Sequence, residues 1–262
     1  MPLNPALAEM TGSSLRLTSA PPSCSIAKTP IVPLPEFREY RNWLSAVTAI
    51  SRLTAPVRAL VKAHLARGVS PSILMVHADV RRVMSHAAAR ETRKLAAYLA
   101  ELLSQLAAGG AQIGTVPAFA PQVCAQELAE LTPIPLIDVL DALVAEIGRR
   151  KLQRVAIFGA RVTVETKLFG RLRNVDVVTP SSTEVDVLDG TYRRIVQEEG
   201  ASTEDFARLR GLAHTLIDRE QLDAILLAGT DLSFVFNPEN TDFPHIDGAR
   251  THIDAIMRKL AA

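Results

Sequence analysis

The sequence predicts an α/β protein made of two similar lobes, each built on a mostly parallel sheet. Three observations carry this. From about residue 43 onward, short apolar runs alternate with amphipathic helical stretches, the pattern of parallel strands joined by right-handed helical crossovers. Leu226-Leu227-Ala228-Gly229-Thr230-Asp231 is an apolar run that breaks into a small-residue turn, the form in which α/β sheets present ligand-binding groups at strand carboxyl ends. The third observation is an offset of 111 positions, which carries Ala118 onto Gly229 and also residues 44–48 onto 155–159. Two matching offsets indicate two lobes, with one larger domain containing two ordinary βα turns as the other layout.

Residues 1 to about 35 hold seven prolines among Ser, Thr and Ala with no period of 2 or 3.6, which predicts a mobile extension. Trp43-Leu44-Ser45-Ala46-Val47 is the first acceptable strand, although Ser45, Thr48 and Ala49 also suit a helix. Val57, Leu60, Val61 and Leu65 fall at helical spacing and Gly68 closes that run. A strand over 72–77 follows, ending at His77-Ala78-Asp79. One long Ala/Leu-rich helix over 87–108 stops at Gly109-Gly110 and leads to a strand over 113–116. Pro121 opens a helix through Leu128, and a further helix runs to Arg150. The second half repeats the alternation, with strands over 154–158 and 175–178 and helices over 163–171, 184–199 and 203–219. The Leu226 strand comes next, then a polar loop over 237–247 and a final helix over 249–260.

The 262 residues suffice for one large domain or two lobes with real cores. Lys and Arg number 29 against 28 Asp and Glu, and no basic cluster with interleaved aromatics occurs, so nucleic acid is not an expected partner. Two distant cysteines, Cys24 and Cys124, form neither a disulfide framework nor a zinc ribbon, which fits a reducing compartment. No apolar run reaches the roughly 18 residues of a spanning helix, and the start lacks a basic region followed by an apolar core. The expected location is the cytoplasm, with no membrane partner.

At this point the residues resemble the aspartate/glutamate (Asp/Glu/hydantoin) racemase superfamily. Leu227-Ala228-Gly229-Thr230-Asp231 is similar to that family's Leu-Gly-Cys-Thr-Glu motif, and Val116-Pro117-Ala118-Phe119-Ala120-Pro121-Gln122 to its Pro-Cys/Ala-Asn-Thr-x-His motif. Phe158-Gly159-Ala160-Arg161-Val162-Thr163-Val164-Glu165 resembles its Leu-Gly-Thr-x-x-Thr-Met segment, and Asp247 with His252 its Asp-x-x-x-x-His. The resemblance spans about 44–260. It implies two α/β lobes related by a pseudo-twofold axis with a cleft between them, and cofactor-independent proton transfer on a small carboxylate or amino-acid-like substrate. It assigns 41–138 and 245–262 to the amino-terminal lobe, 139–244 to the carboxyl-terminal lobe and 1–40 to the extension. A homodimer is left open.

The departures bear on chemistry. Both thiol positions are altered, to Ala118 and Gly229, and the first motif's Asn, Thr and His are Phe119, Ala120 and Gln122. Two-sided proton transfer needs an acid and a base on opposite faces of the α-carbon, each poised near working pH. With no metal or other cofactor expected, the candidate catalytic groups are His245, Asp231 and Thr230. His245 is an imidazole that Asp242 or Asp247 could orient. Thr230 and Asp231 suit either a carboxylate ligand or simple helix capping. Pro117, Ala118, Phe119, Ala120, Arg161, Thr163, Glu165 and Gly229 are the candidate substrate contacts, although Thr163 with Glu165 also reads as an ordinary helix start. His77 is a further acid/base candidate, and Cys124 reads as a packing residue. The functional expectation is a racemase-family isomerase or lyase with non-thiol groups. The alternative is a racemase-fold binding or interaction protein without turnover.

Overall fold

The computed structural model describes residues 45–49, 54–68, 70 and 72–260. The Pro-rich stretch 1–40, Cys24 and the Trp43-Leu44 start of the first expected strand lie outside these residues.

The chain begins with β1 (Ser45–Ala49), α1 (Thr54–Leu65), β2 (Ile73–His77), α2 (Val80–Ala88), α3 (Thr92–Ala108) and β3 (Ile113–Thr115). These three strands form a parallel sheet in the order β2-β1-β3. A short 3-10 turn (Ala120–Cys124), α4 (Ala125–Leu131) and α5 (Val139–Arg150) lead to β4 (Arg154–Gly159), α6 (Arg161–Glu165), β5 (Asp176–Val178), α7 (Ser182–Glu198) and α8 (Thr203–Glu220). The chain closes with β6 (Ala224–Ala228), α9 (Leu232–Val235), β7 (His245–Asp247) and α10 (Gly248–Leu260). The second sheet is also parallel, in the order β5-β4-β6-β7.

The two sheets are separate and wound alike, which makes the protein two α/β lobes. In each, the lobe's first strand is central, its second lies on one side and its third on the other. The likeness extends to a fourth position. β7 lies beside β6 in the second lobe, and in the first, residues 135–137 lie beside β3. There Gly114 N–H donates to the Pro135 carbonyl at 2.9 Å and Ile137 N–H to the Gly114 carbonyl at 2.9 Å. Glycine is needed at 114 because a Cβ would stand 2.9 Å from Leu136 Cδ2 and 3.0 Å from Leu103 Cδ2. β6 is buried at every residue, as expected of a parallel strand covered on both faces.

Helix starts follow local chemistry. The Asp138 carboxylate accepts from Leu140 N–H at 2.6 Å and caps α5, and Ser181 with Glu184 forms a reciprocal capping box on α7.

Four expectations are corrected. The single helix over 87–108 is two helices, because Arg90 adopts a left-handed φ of 54° between α2 and α3. The helix over 163–171 starts earlier and stops at Glu165, since Lys167, Leu168 and Phe169 all have positive φ. The turn opened by Pro121 is 3-10 before it becomes α4. The polar loop over 237–247 ends in β7, where Leu226 pairs with Ile246, so residues 245–247 belong to the second sheet and the boundary at 244 moves beyond them. α10 then packs on α1, with Leu60, Ile256 and Met257 buried together, and Arg67 Nη1 donates to the Met257 carbonyl at 2.8 Å.

Candidate functional site

β3, β4 and β6 deliver their carboxyl ends toward the segments 116–120, 160–165 and 229–231. At β4, Gly159 lies opposite Ala228 so closely that a Cβ would stand 2.5 Å from the Ala228 carbonyl oxygen. After β3, the buried Gln122 closes the turn, its Nε2 donating to the Val116 carbonyl at 2.9 Å and the Ala118 carbonyl at 2.8 Å. Gln122 thus holds backbone and presents no titrating group.

The residue that organises the end of β6 comes from α7. A Cβ built on Gly229 would meet Tyr192 Cε2 at 2.6 Å and Tyr192 Cζ and Oη each at 2.7 Å. The tyrosine ring therefore occupies the space in which a side chain at 229 would begin. Its hydroxyl is hydrogen-bonded to the Asp231 carboxylate, and burial, reinforced by that charge, pushes the phenol far above its ordinary range. Tyr192 is thus a neutral donor. Asp231 precedes α9 without capping it through its side chain. Sequence reading missed Tyr192, and the available signal was indirect: a side chain absent at 229 must be replaced by something else in a close-packed interior.

Pro117, Phe119 and Thr230 are brought together, with Thr115 and His252, around a void of about 20 Å³, room for one water. Phe119 is only 3% exposed and packs into the apolar core of the second lobe, with its Cζ 2.6 Å from where a Gly248 Cβ would be. Its ring thus joins the two lobes. His252, 2% exposed, places Nε2 at 2.9 Å from both the Thr115 hydroxyl and the Ile137 carbonyl, and burial lowers its pKa. Asp247 caps α10, its Oδ1 accepting from Arg250 N–H at 2.9 Å and from the Ser233 hydroxyl at 2.6 Å.

A larger interlobe cleft, about 520 Å³, runs between α2 and the α6–α7 face and brings together Ala120, Arg161, Glu165 and Tyr192. Arg161 is already paired with acids of its own chain: its guanidinium donates to Glu165 at 3.0 Å and Asp186 at 2.5 Å, which raises its pKa further, and its backbone N–H donates to Asp189 Oδ1 at 2.9 Å. Glu165 serves that pair. Thr163 is fully buried, and its hydroxyl donates back to the Ala160 carbonyl at 2.6 Å, so it offers no free donor to a ligand. Two further cations line this cleft: Arg193, 69% exposed in its side chain and held by Asp189 at 2.8 Å, and the exposed Arg90.

His245 is not brought to this end of the sheet. It pairs with Ile225, three residues upstream of Ala228 and hence about 10 Å away along the strand, and its Nδ1 lies 3.0 Å from the Phe243 carbonyl. Asp242, thought able to orient it, is instead bound by Arg210 and His214. His77 ends the edge strand β2, and Asp79 beside it caps α2. Cys124 is fully buried, its thiol pushed up to about 12 by burial and then by Glu127. Among the described residues, no group of three or more His, Cys, Asp or Glu is arranged to hold a metal ion, and no helix is long and apolar enough to cross a membrane.

Two wound-alike parallel lobes, with strand ends converging between them, define the class as a two-lobed α/β protein of racemase architecture. Residues 47–256 match the Asp/Glu/Hydantoin racemase family, and the chain belongs to it. Solved structures agree on the fold. A protein from Yersinia pestis described as a candidate Asp/Glu racemase superposes with a TM-score of 0.71 at 19% identity, covering 84% of this chain and 99% of that one. An aspartate racemase homologue from Pyrococcus horikoshii OT3 gives 0.67 at 15% identity, covering 84% and 99%. The aspartate racemase of Picrophilus torridus gives 0.62 at 13% identity, covering 84% and 95%. No curated protein sequence is matched.

Proposed function

We propose that the protein is a cofactor-independent racemase-family enzyme that moves a proton on one face of a small carboxylate, with Tyr192 and Asp231 acting where the resemblance puts the second thiol. One observation carries this reading: the Tyr192 hydroxyl lies 2.7 Å from where a side chain at Gly229 would start and is hydrogen-bonded to Asp231. A phenol held this strongly protonated is a poor lone base. As a relay it avoids the tyrosinate. When the substrate C–H bond breaks, its electron pair stays on carbon as the enediolate and the proton goes to Tyr192 Oη, while the proton Tyr192 held passes to Asp231. In reverse, Tyr192 gives its proton to carbon and takes one from Asp231. The face supplied by the first motif carries Ala118 and Phe119, neither of which can hold a proton. The reading therefore favours α-proton exchange with retention, or a decarboxylation or elimination that needs one proton delivered, over two-sided racemisation. Within it, Arg193 meets the substrate carboxylate, Ala120 leaves room for it, and Arg161 with Glu165 builds the wall, with Thr163 buried behind it. Within this reading the enzyme works in the cytoplasm, which the two cysteines far apart in the sequence support.

A second reading has its own support. The void of about 20 Å³ beside Phe119 and Thr230 and the pairing of Arg161 with Glu165 and Asp186 suit a family member that kept the lobes and lost turnover, serving as a binding protein. A panel of small carboxylates, including amino acids and 2-substituted malonates, screened by thermal shift and then for α-proton exchange in deuterated water, tests the two. Exchange that survives Cys24→Ser/Cys124→Ser and falls at least 100-fold in Tyr192→Phe supports the relay. Binding with no exchange supports the second reading.

A further inference from the structure

Tyr192 and Asp231 face two different cavities. Tyr192 lines the interlobe cleft of about 520 Å³. Asp231 lines a second cavity of about 360 Å³ at the α7–α8 turn, with Ala201, Ser202, Phe206, Phe234 and Asn240. The two cavities have no lining residue in common, and α7 stands between them: Tyr192, Arg193 and Val196 face the cleft, while Ile195 and, just past the helix end, Glu199 face the second cavity. The hydrogen bond between Tyr192 and Asp231 is thus a polar link between a residue lining one cavity and a residue lining the other.

We propose that this link is a proton port: Asp231 exchanges protons with solvent through the α7–α8 cavity, and Tyr192 carries them into the interlobe cleft. The inference rests on the one-sided proton-transfer reading above and adds the route. A proton taken from the ligand passes Tyr192 and protonates Asp231; a water in the α7–α8 cavity accepts it as hydronium, and the return step runs the same bonds backward. No tyrosinate is left in the cleft; the ligand holds the one added negative charge as its enediolate until the return proton arrives, so it exchanges its α-proton with solvent while it stays bound. The cavity is large enough for small organic acids as well as water, so a short carboxylic acid supplied from solvent can replace a deleted Asp231 side chain.

The experiment has two arms. In the first, which needs no turnover, Asp231 is labelled with a water-soluble carbodiimide and glycine ethyl ester and read by peptide mass spectrometry. Ala201→Trp narrows the α7–α8 cavity and Ala120→Trp the interlobe cleft, and circular dichroism confirms that both variants fold. The port predicts that Ala201→Trp slows Asp231 labelling at least fivefold while Ala120→Trp changes it less than twofold. Equal or reversed dependence overturns the port whatever the enzyme does. In the second arm, with whichever carboxylate the panel finds to exchange, Asp231→Gly lowers exchange at least 100-fold and 100 mM formate restores at least tenfold of it, while adding Ala201→Trp abolishes that rescue. Rescue unaffected by Ala201→Trp places the donor in the cleft and overturns the route. If no carboxylate exchanges, the proton-transfer reading fails, and the labelling arm still decides whether Asp231 is reached through this cavity.

Discussion

Gly229→Ala is the perturbation that reads the packing at the end of β6 most cleanly. Gly229 does not have a left-handed φ, so adding a methyl group brings no backbone strain of its own. The methyl would meet three Tyr192 atoms at 2.6–2.7 Å, about 1 Å inside ordinary carbon contact. Either the ring retreats and weakens its hydrogen bond to Asp231, or the β6 turn moves. Overpacking of this kind costs about 1–3 kcal/mol, and a weakened hydrogen bond to a charged acceptor adds about 1 kcal/mol. The expected destabilisation is about 2–4 kcal/mol, a Tm fall of roughly 5–12 °C for a domain of this size. Equilibrium urea unfolding of wild type, Gly229→Ala, Tyr192→Ala and the double variant gives the coupling. Removing the ring removes the clash, so the double variant should be more stable than the summed single effects predict by about 2 kcal/mol. If Gly229→Ala unfolds at the wild-type midpoint, or the two changes simply add, the tyrosine does not fill the space at 229.

Other expectations follow from buried and paired groups. His252 is held neutral with its pKa below 6.5, so the unfolded chain binds a proton that the folded one refuses; its contribution is whole above about pH 6.5 and declines as pH falls below that. A Tm profile over pH 8 to 5 should show this slope, and His252→Asn should flatten it while costing about 1–3 kcal/mol at pH 8. Glu184, lowered to about 2 chiefly by Arg219 and helped by Ser181, stabilises α7 fully above about pH 4.5 and loses that contribution as pH falls toward 2. Glu184→Gln should therefore cost about 1 kcal/mol at pH 7, with the gap to wild type closing in acid unfolding curves below pH 4. In a Cys24→Ser background the remaining thiol, Cys124, should be almost unreactive toward a chromogenic disulfide at pH 7.5, because only on the order of one thiol in 10⁴ to 10⁵ is ionised, and should react at once in denaturant. Rapid stoichiometric labelling of the native protein would show that the thiol is not buried as described.

The alternation of apolar runs and helical stretches made the two parallel lobes legible, because parallel strands buried on both faces leave little ambiguity of period. The 111-position offset located the equivalence of β3 and β6. Local breaks were harder. Arg90 and the run Lys167-Leu168-Phe169 take left-handed φ without glycine, so nothing in their residue type announces the helix ends there. β7 is three residues in a polar loop, and its pairing with β6 is a tertiary fact with no periodic signature. At the site, the motif positions led to Gly229, Thr230, Asp231 and Phe119 but did not announce the Tyr192 ring against Gly229 or the burial of Phe119 between the lobes. Tyr192 comes from the middle of α7, 37 residues before Gly229, and only folding sets the ring against the glycine. Arg161 read as a ligand for an acid because its partners Asp186 and Asp189 are distant in sequence. His245 read as a base because sequence alone does not say which end of a strand pair it joins.

The most direct test of the central claim is the rate of α-proton exchange into deuterated water for Tyr192→Phe relative to wild type, measured by proton NMR on a carboxylate that both bind equally. The substitution removes one oxygen and keeps the ring over Gly229, so it isolates the hydroxyl from the packing. The relay predicts a fall of at least 100-fold with unchanged binding, and no fall in Cys24→Ser/Cys124→Ser. Full exchange in Tyr192→Phe would contradict it and return the proton transfer to another group.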